Sequence, residues 1–156
     1  MEYRTMGLTN TRGALEQYQK TGVQSSIENA TPHRLIQMLM EGAMEKIAAA
    51  KGFMQRGEVA KKGEHISWAI SIIDGLRLSL DKSVGGEIAQ NLDDLYDYMN
   101  RKLMEANVQN SVEYLDEVIG LLLKIKSGWD AIPQDIIEEH ARMKESKPEL
   151  SRTSGM

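Results

Sequence analysis

Histidine is the side chain in this sequence best suited to acid–base or metal chemistry near neutral pH, and the chain has three: His33, His65 and His140. Helical bundles build di-iron sites from Glu-x-x-His motifs, which place a carboxylate and an imidazole one helical turn apart. The residues three positions before the histidines are Ala30, Lys62 and Ile137. The sequence therefore contains no such motif and does not predict a di-iron site.

A single histidine midway along a helix can instead accept a phosphoryl group, and His65 is the one candidate for that role. Its neighbours Glu64, Ile66, Ser67 and Trp68 do not form the His-x-Leu-Lys-Gly context that is typical of phosphotransfer domains. A phosphotransfer bundle using His65 stays as the alternative function from a signalling class.

The sequence offers no other catalytic constellation. It has no cysteine, which excludes thiol nucleophiles, disulfides and cysteine-based zinc sites. It also has no glycine-rich phosphate loop and no Gly-x-Ser-x-Gly, and its many Glu/Lys pairs are typical of solvated helix faces. We therefore expect a protein that is not an enzyme and has no cofactor and no metal.

Length and charge limit the remaining classes of function. The 156 residues, 41% hydrophobic and 27% charged, are typical of one soluble domain with its own core. A net charge of −4 lacks the basic footprint of a nucleic-acid-binding protein. The chain shows no apolar signal segment and no apolar run near the ~18 residues of a membrane span, so we expect no membrane insertion and a cytoplasmic location.

Apolar residues recur at three- and four-residue steps, which predicts amphipathic helices. The spacing predicts four long helices over about 32–56, 58–83, 87–107 and 111–130, and a short fifth over about 133–144. Thr31 is the expected N-cap before Pro32. Gly85-Gly86 is expected to break the chain between the second and third helices, and Asn110 to begin a capping box with Glu113.

Short connections between these helices force antiparallel neighbours, so the fold class is all-α: an antiparallel four-helix bundle with a short fifth C-terminal helix and a mobile N-terminal arm. Three parts are expected along the chain. Residues 1–30 form a flexible arm with a short helical cap, residues 31–146 the bundle, and residues 147–156 a disordered tail. The predicted core stripes contain Val59 and Ile88 among their members.

Several helices have more apolar surface than one buried stripe needs. The fourth contains Val118-Ile119-x-Leu121-Leu122-Leu123, and the first contains Met38-Leu39-Met40. A second apolar face favours a partner, and the ten methionines suit an adaptable peptide-binding surface. The competing interpretation is that the fifth helix and the arm cover this surface and that the methionines fill the core.

The residues themselves resemble a family, the flagellar export chaperones of the FliS type. The most specific match is Gly85-Gly86-Glu87-Ile88-Ala89-Gln90-Asn91-Leu92 followed by Leu95-Tyr96-Asp97-Tyr98-Met99; supporting matches are Tyr18-Gln19, the stretch 31–43, Ile72-Ile73-Asp74-Gly75-Leu76, Ala106-Asn107 and Trp129. The match spans about residues 18–130. Met40 departs from it, since an aromatic residue is expected there, and this leaves open a shifted client preference.

The resemblance implies a function and partners. Proteins of this family bind the disordered C-terminal region of flagellin in the cytoplasm, prevent its premature polymerisation and pass it to the flagellar type III export gate. Such capture is helix-in-groove recognition, in which the client folds as it binds. The alternative among binding proteins is a chaperone for another type III secretion client.

Two hypotheses name partner-binding residues. The third helix is expected to help form the client groove, through Asn91, Leu95, Tyr96, Met99 and Leu103. The competing interpretation is that Leu95 and Met99 are plain core residues. Leu15 and Tyr18, an apolar pair on the arm, are expected to occupy the groove when no client is bound.

Overall fold

The computed structural model describes residues 30–143, and every structural statement below refers to that part of the chain. It contains four long helices, α1 (Pro32–Gln55), α2 (Val59–Leu78), α3 (Lys82–Gln109) and α4 (Val112–Asp130). A short helix, α5, covers 134–143 up to the last described residue. The predicted all-α bundle of four helices with a short fifth helix is confirmed. Residues 1–29 of the expected arm, 144–146 of the expected bundle and the whole expected tail, 147–156, lie outside the described residues.

The first helix begins and ends where its sequence signals predict. The side chain of Thr31 accepts a hydrogen bond from the backbone N–H of Arg34 at 3.1 Å, and Pro32 occupies the first turn. Gly57 follows the end of α1 with a φ of 75°, a left-handed conformation that glycine adopts without steric cost. A tight turn therefore returns the chain directly into α2.

The connection between α2 and α3 differs from the prediction. α2 ends at Leu78 rather than near residue 83, and α3 already begins at Lys82 because Asp81 caps the backbone N–H groups of Ser83 and Val84. The predicted break at Gly85-Gly86 is confirmed: Gly86 has the non-helical angles φ 53° and ψ −123°, so α3 consists of two helical segments that meet at a kink. The short segment before the kink is not part of the prediction, and the long segment begins at Glu87, as predicted.

The connection between α3 and α4 also corrects a prediction. Asn110 is not an N-cap: it has φ 52° and ψ 47° and ends α3 in the left-handed conformation that asparagine tolerates. The N-cap of α4 is Ser111, whose hydroxyl accepts from the backbone N–H of Tyr114 at 3.1 Å. Asn and Ser both suit caps, so the sequence alone left the position ambiguous by one residue.

The four long helices form an antiparallel ring in which α1 packs on α2 and α4, and α3 packs on the same two helices. The core lies inside this ring, and its fully buried side chains include Met40, Ile47, Ile73, Met99 and Leu122. Two residues placed on the predicted stripes are not buried: Val59 is 68% exposed and Ile88 is 72% exposed. Both lie at the beginning of a helix, where the neighbouring helices no longer cover the stripe.

Met40, the departure from the family pattern, is 1% exposed and belongs to the core. Met38 and Leu39 are also buried. The apolar surplus predicted on α1 is therefore core packing. None of the helices within 30–143 is both long and apolar enough to cross a membrane.

Candidate partner-binding surface

The structure places the predicted groove residues at three different depths. Asn91 is exposed and Leu95 is half-buried. Tyr96, Met99 and Leu103 are buried, with exposures of 2%, 0% and 0%. Leu15 and Tyr18 lie outside the described residues, so the structure does not relate them to the others.

Burial of Tyr96 has an electrostatic consequence as well as a packing one. Removal from water disfavours the phenolate and raises the pKa of Tyr96 to about 12. The side chain is therefore a neutral member of the core. Direct contact of Tyr96, Met99 or Leu103 with a partner would require α3 to shift within the bundle, and their role stays a prediction.

Large apolar side chains are exposed where α2 passes into α3. Leu78 is 50%, Val84 75% and Ile88 72% exposed; we call these three residues the α2–α3 corner. Large apolar side chains that are exposed together at one connection of a soluble protein are typical of an interaction site. The corner could thus receive an apolar partner helix.

The kink at Gly86 explains why the corner is exposed. Val84 precedes the kink and lies in a short turn capped by Asp81, so it does not continue the buried stripe of α3. Ile88 follows the kink, and Ala89 beside it is already buried at 4% exposure. The chain therefore returns to the bundle immediately after presenting Ile88.

A network of ion pairs fixes the base of the corner. Arg77 on α2 donates to Asp93 on α3 at 2.9 Å, and Lys82 reaches the same carboxylate at 3.1 Å. These hydrogen bonds, that of Arg77 first, lower the pKa of Asp93 below its ordinary value. Arg77 also contacts Asp97 at 3.4 Å. The carboxylates join α3 to the end of α2, which limits how far the corner can move.

The beginning of α1 and the end of α4 are held together at this same end of the bundle. The Nε2 of His33 lies 2.7 Å from the carbonyl oxygen of Trp129, and the indole Nε1 of Trp129 donates to the carbonyl of His33 at 3.0 Å. The two rings stack with centroids 5.1 Å apart. Because α2 runs antiparallel to α1, the α2–α3 corner lies at this end too. α1 therefore begins at the end of the bundle where the corner is exposed.

His65 does not have the environment of a phosphoryl acceptor. Its side chain is 17% exposed, and its Nδ1 hydrogen-bonds the carbonyl of Lys61 at 2.9 Å. Its ring contacts Phe53 and Trp68, with centroids 4.8 and 5.9 Å away. The imidazole helps to join α1 to α2, and this packing disfavours the phosphotransfer alternative. Within residues 30–143, no group of His, Asp and Glu side chains is arranged to hold a metal ion.

Sequence reasoning missed the corner as a site, although its residues were visible. The helical spacing of Ile88 predicts a core position, and spacing cannot show that a kink and a helix end leave this side chain exposed. The signal that could have found it is the Gly85-Gly86 pair between Val84 and Ile88, which indicates irregular backbone beside apolar residues.

Comparison with known proteins matches this chain to one family over most of its length. The family described as flagellar protein FliS matches residues 14–136. The flagellar secretion chaperone FliSB of Pseudomonas aeruginosa is 51% identical over 119 residues, which is 76% of this chain and 94% of the relative. The flagellar secretion chaperone FliS of Vibrio cholerae is 44% identical over 80% of this chain and 91% of its own length. That of Salmonella typhimurium is 45% identical over 78% and 91%. On this match and on its helical bundle, the chain belongs to the FliS family of flagellar proteins.

Proposed function

We propose that this protein is a cytoplasmic flagellar export chaperone that binds the disordered C-terminal region of flagellin. Its relatives in three bacteria are named flagellar secretion chaperones, and those matches extend over most of each relative. The protein acts by binding rather than by catalysis and needs no cofactor. By keeping the client's C-terminal region occupied, it prevents flagellin from polymerising before export.

The observation that supports this proposal most is the exposed α2–α3 corner. Leu78, Val84 and Ile88 expose half or more of their area, and burying a side chain such as Ile88 contributes about 1.5–3 kcal/mol to association. An amphipathic client helix can bury the three residues together through helix-in-groove recognition. Asn91 and Leu95, one and two turns further along α3, extend the surface toward the middle of the bundle.

The expected test compares two exposed apolar residues of the same helix. We expect Ile88→Ser to weaken binding of a flagellin C-terminal segment by about tenfold or more, because it removes buried apolar area from the interface. Val108, 85% exposed near the other end of α3, is the matched control, and Val108→Ser should leave the affinity unchanged. Equal affinities for both variants and the wild type would remove the corner from the client site. Asn91→Ala in the same assay tests whether the polar side chain of Asn91 contributes to the affinity for the client.

The N-terminal arm is proposed to compete for the same surface. α1 begins at the end of the bundle where the corner lies, and Leu15 and Tyr18 are the apolar pair that would occupy the surface without a client. Deleting residues 1–20 should then raise the affinity for flagellin. A loss of affinity would mean that the arm contacts the client directly.

Export requires that the loaded chaperone reaches the flagellar type III export gate, which we propose as the second partner. The client remains bound until that contact is made. A chaperone for another type III secretion client would have the same bundle and the same corner. It would be recognised by binding that client, and not flagellin, in the affinity assay.

A further inference from the structure

A buried amide between α2 and α3 has only part of its hydrogen bonds. Asn100 on α3 is 8% exposed, and its Nδ2 donates to Oδ1 of Asp74 on α2 at 2.9 Å. Its own Oδ1 is buried and has no hydrogen-bond partner among residues 30–143. A buried acceptor without a donor destabilises the folded state, so this pair is an unusual feature between two packed helices.

The charge of Asp74 explains why the second bond is missing. An ionised carboxylate only accepts hydrogen bonds, so the amide must turn its NH₂ group toward Asp74 and leave its oxygen without a donor. A protonated carboxyl has one O–H to donate. Asp74 could then accept from Nδ2 of Asn100 and donate to its Oδ1, which makes a cyclic acid–amide pair with two hydrogen bonds.

The charged groups around the pair do not replace the missing donor. On α2 the nearest cation is Arg77, which attracts Asp74 but donates its hydrogen bonds to Asp93 and Asp97 of α3. Asp97 is also paired with Arg101 at 3.1 Å, and Asp93 with Lys82. The carboxylates of α3 thus take up the cations of this seam, and Asp74 keeps Asn100 as its hydrogen-bonded partner.

We propose that Asp74 and Asn100 form a proton-operated latch that fastens α2 to α3 more tightly when Asp74 takes up a proton from solvent. In the ionised state the latch has one hydrogen bond and an unsatisfied amide oxygen. In the protonated state it has two hydrogen bonds, and the half-buried Asp74 is uncharged. The inference concerns the bundle itself and does not depend on which client the protein binds.

The direction of the pH effect follows from burial. Desolvation raises the pKa of Asp74 above its ordinary value, against the opposing effects of Arg77 and of the hydrogen bond from Asn100. The stabilising contribution is therefore complete below the pKa of the unfolded chain and is lost as the pH rises through the raised pKa. Asp93, whose pKa is lowered, contributes in the opposite sense and loses its stabilisation as the pH falls.

Asp74→Asn tests the latch, because a second amide can accept and donate at once and so imitates the protonated acid at every pH. We expect its unfolding equilibrium constant at about pH 7 to fall roughly fivefold below that of the wild type, by the addition of about one hydrogen bond. The advantage should shrink as the pH is lowered through the raised pKa of Asp74, because the wild-type carboxyl then becomes protonated. Denaturant unfolding of the full chain at neutral pH and at lower pH values measures the unfolding equilibrium constants of the variant and the wild type.

Asp94→Asn is the matched control, since Asp94 is an exposed carboxylate on α3 that accepts from Gln90. Asp94→Asn should not stabilise the protein at pH 7 or lose an advantage as the pH is lowered. An Asp74→Asn variant no more stable at pH 7 than Asp94→Asn would overturn the latch. Nuclear magnetic resonance titration of the Asp74 carboxyl carbon in the wild type gives an independent test that needs no variant to fold. A pKa above the ordinary value for Asp is expected, and one at or below it would contradict the proposal.

Discussion

A buried ammonium group at Lys62 closes the carboxyl end of α3. Lys62 is 5% exposed, and its Nζ donates to the carbonyl of Asn107 at 2.9 Å and to Oδ1 of Asn110 at 2.6 Å. The last carbonyls of a helix have no partners within it, and a cation there also interacts favourably with the helix dipole. One side chain of α2 therefore donates hydrogen bonds to oxygens at the end of α3.

We expect Lys62→Met to lower the free energy of unfolding by about 1–3 kcal/mol, because it removes the charged donor that hydrogen-bonds both oxygens at the end of α3. Lys61→Met is the control, since Lys61 lies one residue away with 63% of its side chain exposed. Thermal and denaturant unfolding measure both. Similar losses for the two variants would mean that Lys62 contributes no more than a surface lysine.

At the scale of single residues, the sequence predicts which positions are apolar better than it predicts what each one does. The resemblance to the family places Met99 and Leu103 in a groove, yet a 3.6-residue spacing also describes core positions, and both residues are buried in the core. No sequence pattern predicts that Lys62 and Asn100 are buried, since each is a polar residue whose burial is stabilised by a hydrogen-bond partner outside its own helix. Such pairs depend on tertiary packing, which one sequence does not display.

The kink in α3 is the element that exposes the corner. Gly86 has φ 53° and ψ −123°, a conformation that matches the first central position of a type II′ turn and strongly favours glycine. In contrast, Gly120 lies inside α4, and a Cβ added there meets nothing within 4 Å. The two glycines therefore have opposite expected responses to alanine.

Gly86→Ala should destabilise the protein by about 1–2 kcal/mol through backbone strain, and Gly120→Ala should stabilise it by up to about 1 kcal/mol through helix propensity. Melting temperatures measured side by side test both signs. A Gly86→Ala variant as stable as the wild type would show that the kink is not required by the fold.

The helices themselves were largely predictable, and their ends were less so. Thr31 and Pro32 predict the start of α1 correctly, because a cap and a proline act locally. The double glycine correctly predicts non-helical backbone at Gly86, whereas the helical segment that Asp81 caps before it is not part of the prediction. Asp81, Lys82 and Ser83 fit the end of a longer α2 as well as the start of α3, so local signals do not decide where α2 ends.

The whole molecule has two unlike ends. At one end, the His33–Trp129 pair, the ion pairs of Asp93 and the exposed corner lie together. At the other, Lys62 closes α3, and the chain turns at Gly57 and Asn110. The proposed client surface belongs to the first end, where α1 also begins. The composition predicted a binding protein, but only the assembled bundle shows where the apolar surface lies.

The central claim is tested most directly by calorimetry of the full chain against the C-terminal segment of flagellin from the same organism, at several temperatures. We expect a one-to-one complex with a strongly negative heat-capacity change, because apolar surface is buried as the client folds. Absence of binding at every temperature, with both partners intact, would contradict flagellin as the client.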